Sequence, residues 1–451
     1  MTQKRVTLIV SDLHVGDGGA GDDFVDHKCQ FATFVREQAA TERGRAGEIE
    51  LIFNGDFLEF AQTCPQAYTL DSSEYWCSEE ESVIKLDCIL AGHSKVFDAL
   101  KAFQQPGNQV TLFEGNHDVD LHWDCIQSRI RAKAGGVRFE LGNAWNVRYD
   151  GRLYISHGHL FSSVDPVNEF KNYRDPRLNQ PAMDLPKRLE MCPGTLFMVQ
   201  FVNHLEARYP FADNLHPPTA LADILWREDR WGLKAVGWLL ARFMARHRSV
   251  TLGHEGLPNI GPQLLNAIQL DDFLQRKIAA VYRDVLHQLD VTAEKVPAKL
   301  DSEDAIVGFV EELIAADVPW EHWLPALDLA KPAVSGISGS GGATLMIRQA
   351  AKIDQRQACI TIAEGAWKAG AEVVVLGHTH LPQKVEKGAA RYYNPGSWTR
   401  YVEFNRMDSL TLDDLRREDR FPYQLNCVRV EAMNNESLRS EMICLEMLSP
   451  S

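Results

Sequence analysis

The chain has 451 residues, 45% of them hydrophobic and 24% charged, with a formal net charge of −15. That length exceeds a typical domain but suits one large α/β domain with insertions, and the apolar content can bury a sizeable core. The acidic balance leaves no global field to attract nucleic acid, so a nucleic-acid partner is not expected.

Nine cysteines occur without any C-x-x-C spacing. They read as reduced thiols, mostly small core residues, of a cytoplasmic protein. The apolar stretch Val6–Val10 is too short for a signal peptide, and no segment is long and uncharged enough to span a bilayer.

In chain order, "VTLIV" at 6–10 leads into Ser11-Asp12-Leu13-His14, followed by the Gly/Asp-rich rim "VGDGGAGDD" at 15–23. An amphipathic helix is expected over 27–40. "IELIF" at 49–53 leads into Asn54-Gly55-Asp56, and a second helix is expected over 82–104. "QVTLF" at 109–113 leads into Glu114-Gly115-Asn116-His117-Asp118, and "RLYIS" at 152–156 into His157-Gly158-His159. Strand signals then become sparse. Helical patterns cover 195–208, 220–248, 266–289 and 302–316, so 161–344 reads as a helical insertion or cap between core segments 1–160 and 345–451.

Within that insertion, Trp226–Arg248 combines an apolar stripe (Leu233, Val236, Leu240, Phe243) with Arg242, Arg246 and Arg248. It reads as a packed cap helix. The alternative is an apolar lid for a lipid-like substrate, or a peripheral contact with an anionic membrane. "SGISGSGG" at 335–342 is a flexible exit. A helix follows over 348–369. "EVVVL" at 372–376 leads into Gly377-His378-Thr379-His380, and two more strands are expected over 424–432 and 437–448. Short β-branched runs alternating with helices give an α/β fold, which collects its loops at the strand C-termini.

Each polar strand end is a weak signal alone. Together they supply Asp, Asn and His from five strand ends to one sheet edge. In an extended segment, alternate residues point the same way, so Asp12 with His14 and His378 with His380 would each converge. The mixed oxygen and nitrogen donors suit Mn²⁺ first, with Fe, Zn²⁺ or Ni²⁺ behind it. The donors are too many for one ion, which favours a carboxylate-bridged pair about 3.5–4 Å apart.

The order D-x-H, GD, GNHD, HG, GHTH resembles the calcineurin-like metallophosphoesterase superfamily, over residues 6–159 and 372–398. The resemblance implies two facing β-sheets flanked by helices, with two divalent ions at their edge. Asp12, His14 and His380 would hold one ion and Asn116, His157 and His378 the other, with Asp56 bridging. His117 would be the catalytic histidine and Asp118 its orienting partner. His159 and Asn168 would lie behind the ligands or face the substrate. The implied reaction is cleavage of a phosphate ester or pyrophosphate by a metal-bridging hydroxide, on a small substrate, nucleotide-linked and lipid-linked ones included.

"GDFLEF" lacks the arginine found there in Ser/Thr protein phosphatases, and GNHD replaces their GNHE. "NGDFLEF", "SHGH" and "YYNPGSWT" are closer in style to bacterial UDP-2,3-diacylglucosamine pyrophosphatase-like enzymes. GNHD departs from those too, since the lipid A pathway enzyme has arginine in place of the histidine. A nuclease of the same superfamily and a noncatalytic metal-binding scaffold are the alternatives. Oligomeric state stays open.

Overall fold

A computed structural model of the chain describes residues 6–19, 22–24, 29–63, 77–161, 189, 195, 198–206, 208–216, 220–229, 232, 355–399, 402–403, 410–417, 425–433 and 437–445. The chain divides into two compact units. The larger comprises Met1–Asn214, Asp354–Val402 and Arg417–Ser451, and the smaller Leu215–Ile353 and Glu403–Arg416. The expected helices over 266–289 and 302–316, and the stripe Leu233–Phe243, lie outside the described residues. Asn168 does too.

The larger unit is α/β with two mixed sheets. The strands of the first are β1 (Val6–Val10), β2 (Ile49–Asn54), β3 (Gln109–Phe113), β4 (Arg138–Glu140), β12 (Leu425–Met433) and β13 (Ser437–Leu445). Their order is β13-β12-β1-β2-β3-β4, with β1 to β4 mutually parallel and β12 and β13 antiparallel additions. The second sheet is ordered β5-β6-β8-β10-β9, from β5 (Asn146–Arg148), β6 (Leu153–Ile155), β8 (Val373–Val375), β9 (Gln383–Lys387) and β10 (Ala390–Asn394). Here β6, β8 and β10 are parallel and the two edges antiparallel. The two-residue strands β7 (Leu215–His216) and β11 (Val402–Glu403) belong to neither sheet.

The period-two pattern of β1 explains how the sheets stack. Leu8 and Val10 join a cluster with Phe31, Phe34, Leu86, Phe97 and Leu100 of the helices. Ile9 points the other way, into a cluster with Ile52, Leu153, Ile155, Val373, Val375 and Val428, drawn from both sheets. A third cluster packs helix Gln355–Lys368, through Cys359, Ala363 and Ala366, on Val374 and Tyr392 of the second sheet. Helices therefore cover the outer faces while the two sheets share the apolar layer between them.

The helix expected over 82–104 is two, Glu79–Gly92 and Ser94–Phe103, broken at His93. The first is fixed by a capping box, with the Ser78 side chain on Glu81 N and the Glu81 side chain on Ser78 N. A helix over Asp124–Ala134 was not expected. It buries only Ile126, Ile130 and Ala134, too thin a stripe to read as periodic. In the smaller unit, helix Ala220–Glu228 is tied to the 410–412 segment by Arg227 Nη2 donating to Leu410 O and by Leu412 N donating to Glu228 Oε2, both at 2.8 Å. Among the described residues, no helix is long and apolar enough to cross a membrane, and no cysteine is in a disulfide.

Lys85 is fully buried on the helix Glu79–Gly92, with Nζ 2.9 Å from Asp120 Oδ1 and 5.3 Å from the Phe60 ring centroid. Removing one partner of a buried pair leaves the other charge uncompensated. Lys85→Met is therefore expected to destabilise by about 3–5 kcal/mol. Lys85→Met/Asp120→Leu should recover most of that loss in chemical denaturation, whereas equal stabilities of single and double variants would contradict it.

Candidate metal centre

The polar strand ends meet within the larger unit. Asp12, His14 and His380 bring ligand atoms within 4.8 Å of one another, and so do Asp56, His157 and His378. His14 Nε2 lies 3.0 Å from His380 Nε2, and His380 Nε2 lies 3.5 Å from Asp12 Oδ1. In the other group, His157 Nε2 lies 3.0 Å from Asp56 Oδ2 and 3.2 Å from Asn116 Oδ1. Asp56 Oδ2 is also 3.8 Å from His14 Nε2, so one carboxylate oxygen faces both groups.

The local backbone differs from the extended conformation that the two-residue spacing suggested. Of the nine non-glycine residues with positive φ among the described residues, five are Asp12 (54°), His14 (49°), Asp56 (48°), His378 (69°) and His380 (56°). The strands end at Val10 and Val375, and the ligand-type residues beyond them take left-handed turns. Such positions each cost about 1–3 kcal/mol and persist only where the surroundings enforce them. Here the enforcement is visible. Asp12 N donates to Gly55 O at 3.2 Å, and His14 N to Asp56 O at 2.9 Å. His378 N donates to Asp12 Oδ1 at 2.9 Å. Trp398, read as core and fully buried, donates its backbone N–H to Asp12 O at 3.0 Å.

Two motif glycines are required by close approach. A Cβ on Gly115 would run into Asp56 Oδ1, and one on Gly377 into Ser11 Oγ, with Asp12 Oδ2 at 2.6 Å. Gly115→Ala is expected to destabilise by about 1–3 kcal/mol through overpacking and to displace Asp56. Thermal unfolding with and without Mn²⁺ checks this, and an unchanged melting temperature and metal response would refute it.

Glu59 is the residue that sequence reasoning missed. Its carboxylate meets two histidines, with Oε2 2.5 Å from His14 Nδ1 and 2.8 Å from His117 Nδ1. Each Nδ1–H donates to Glu59, which turns the opposite nitrogen, Nε2, away from it. His157 is set the same way, its Nδ1 2.9 Å from the Asn54 carbonyl oxygen, to which it donates. The expectation that Asp118 orients His117 is corrected. Asp118 Oδ1 accepts from Gly115 N at 2.7 Å and Oδ2 from Phe57 N at 3.0 Å, bracing the GNHD turn, while Glu59 takes the place on the His117 ring. The available signal was the carboxylate three residues after Asp56 in "GDFLEF". His159 is buried, its ring centroid 5.2 Å from His157 and 6.5 Å from His378.

The protonation pattern follows from burial and these partners. Burial pushes Asp12 up to about 6, against the charges of His157 and His14. Burial works the same way on Asp56, but the charges of His157 and His117 outweigh it and hold this carboxyl well below the usual range. Glu59 is likewise held down at about 2 by His117 and His14 despite its burial. Asp56 and Asp12 carry His157 up to about 10 against its own burial. Burial, then the charge of His157, lowers His378 to about 3 and His159 well below the ordinary imidazole value. Burial and the charge of Asp56 raise Asp118 to about 7. The centre thus sets concentrated carboxylate charge beside imidazoles, of which burial keeps the ligand candidate His378 neutral, while His157 holds a proton that a bound ion would displace.

No protein-family model matches the chain, and a search of curated proteins finds no match.

Proposed function

We propose that the chain is a dinuclear metal-dependent phosphohydrolase on the calcineurin-like metallophosphoesterase sandwich. The observation that carries this reading is Asp56 Oδ2, 3.0 Å from His157 Nε2 in its own group with His378 and 3.8 Å from His14 Nε2 in the group of Asp12, His14 and His380. The donor set fits hard-to-borderline divalent ions, Mn²⁺ first. It is oxygen and imidazole without thiolate, and the ring nitrogens of His14 and His157 are preset by acceptors on Nδ1. Asp12, His14 and His380 would hold one ion, and Asn116, His157 and His378 the other.

Two ions held there would supply a water nucleophile ionised near neutral pH and offset charge on the phosphoryl oxygens. The chain's own residues do the rest. Asp56 fixes the His117 backbone, accepting its N–H at Oδ1 at 2.9 Å. Glu59 holds the proton on His117 Nδ1, leaving Nε2 as the ring atom that meets a substrate oxygen. As the imidazolium, with Glu59 on its Nδ1–H, His117 would stabilise the phosphoryl group through Nε2–H and pass that proton to the leaving oxygen, returning to the neutral Nδ1–H form. The left-handed turns of Asp12, Asp56 and His378 are strain stored for ligand placement.

The substrate is a small phosphate mono- or diester or a pyrophosphate, of the kind found in nucleotide-linked and lipid-linked precursors. The acidic net charge of −15 weighs against a nuclease. The experiment is hydrolysis of an aryl phosphate monoester and an aryl phosphate diester by metal-stripped protein with and without Mn²⁺. Mn²⁺-dependent cleavage supports the reading and the preferred ester narrows the substrate. No cleavage of either ester by protein loaded with two ions would move the assignment to a metal-binding scaffold.

A further inference from the structure

The Asn116–His117 peptide is clamped from both sides. Its N–H donates to Asp56 Oδ1 at 2.9 Å, and its carbonyl oxygen accepts from the Thr195 hydroxyl. Thr195 and Asn116 are each 2% exposed, so no bulk water competes for that carbonyl. On either side of this peptide stand the two groups that matter most to the GNHD turn: Asn116 Oδ1, 3.2 Å from His157 Nε2, and His117, whose Nδ1 meets Glu59.

Thr195 comes from none of the five polar strand ends. It stands in the stretch read from sequence as an insertion, yet that stretch is attached to the larger unit on both sides of it. Leu189 N donates to Cys77 O at 3.2 Å, and Cys77 Sγ donates back to Leu189 O at 3.1 Å. Asn203 Nδ2 donates to Ala61 O at 2.9 Å, and Val199 between them is fully buried.

We propose that Thr195 is a positioning residue of the metal centre, acting through the Asn116 carbonyl. The proposal rests on the dinuclear reading above. A peptide plane turns by opposed rotation of the ψ before it and the φ after it. A hydrogen bond on each end blocks that motion. Without the Thr195 hydroxyl the buried carbonyl lacks this donor, and turning toward another takes the His117 N–H off Asp56. Asn116 and His117 then move together, so the ion held by Asn116, His157 and His378 is affected and the ion held by Asp12, His14 and His380 is not.

The test compares Thr195→Val, which keeps shape and loses the donor, with Thr195→Ser, which keeps the donor. Mn²⁺ is titrated calorimetrically into each full-length metal-stripped variant, and kcat and KM are measured on the aryl ester the wild type cleaves. In Thr195→Val, one of the two Mn²⁺ affinities should fall about 10–100-fold and kcat by a similar factor, with KM little changed. Thr195→Ser should match wild type in both. Wild-type affinities in Thr195→Val, equal loss of both ions, or equal impairment of the Ser and Val variants would overturn the proposal. If Thr195→Val does not fold, Thr195→Ala carries the same readouts. If wild type binds two ions but cleaves no ester, the phosphohydrolase reading fails while the titration still decides the role of Thr195. If wild type binds no ions, both fall together.

Discussion

Asp56→Asn is expected to reduce Mn²⁺-dependent hydrolysis by on the order of 10²–10³-fold and to reduce the bound Mn²⁺ to a single ion. The side chain is isosteric, so packing is retained and only charge and one acceptor are lost. Asp56 Oδ2 is the oxygen that faces both His157 and His14, and Oδ1 holds the His117 N–H. The neutral amide offers an oxygen to one ion but cannot offset the repulsion of two. It can also turn its NH₂ toward the His117 N–H, a donor facing a donor. Metal content after dialysis and steady-state rates check the expectation. Two tightly bound ions with a rate within about threefold of wild type would contradict the bridging role, since a lost charge-assisted contact is worth more than that.

Glu59→Gln is expected to reduce kcat by about 10–100-fold while retaining two metal sites. One carboxylate serves His14 Nδ1 and His117 Nδ1, and an amide oxygen can accept from only one without presenting NH₂ to the other. The variant also has a pH signature in the metal-free protein. The folded pKa of Glu59 is depressed to about 2 from an ordinary 4.5. A depressed carboxyl contributes stability that is present above the unfolded pKa and is lost as pH falls through the folded one. The contribution is about 3 kcal/mol for that difference. The stability gap between wild type and Glu59→Gln should therefore shrink as pH falls from about 5 toward 2. Urea denaturation at pH 7, 4 and 3 checks it. A gap that widens on acidification would mean that Glu59 is not the ionised partner of the two histidines.

The parts of this architecture that were legible in sequence share one physical cause. A strand buried on both faces is apolar over most of its length, so "VTLIV", "IELIF", "QVTLF" and "EVVVL" stand out, and the polar residues that end them mark the sheet edge where the loops gather. At that edge the structure brings together Asp12, His14 and His380, and Asp56, His157 and His378 with Asn116 beside His157.

What was not legible depends on conformation or on distant partners. The two-residue spacing of the histidines suggested an extended backbone, yet left-handed turns aim them, and Asp and His, though they tolerate positive φ better than most side chains, mostly occupy ordinary backbone. Glu59 sits in "FLEF" as one acidic residue among aromatics, and only the fold reveals two imidazoles across from it. Asp118 adjoins His117 in sequence, but its oxygens serve the backbone N–H groups of Phe57 and Gly115. The break at His93 and the thin-striped helix Asp124–Ala134 escape a search for periodicity because neither carries a strong one.

The central claim is tested most directly by anomalous diffraction from crystals of the protein soaked in Mn²⁺. The account predicts two peaks about 3.5–4 Å apart on either side of Asp56, one within reach of Asp12, His14 and His380 and the other of Asn116, His157 and His378. A single peak, or two peaks of which neither touches Asp56, would contradict it.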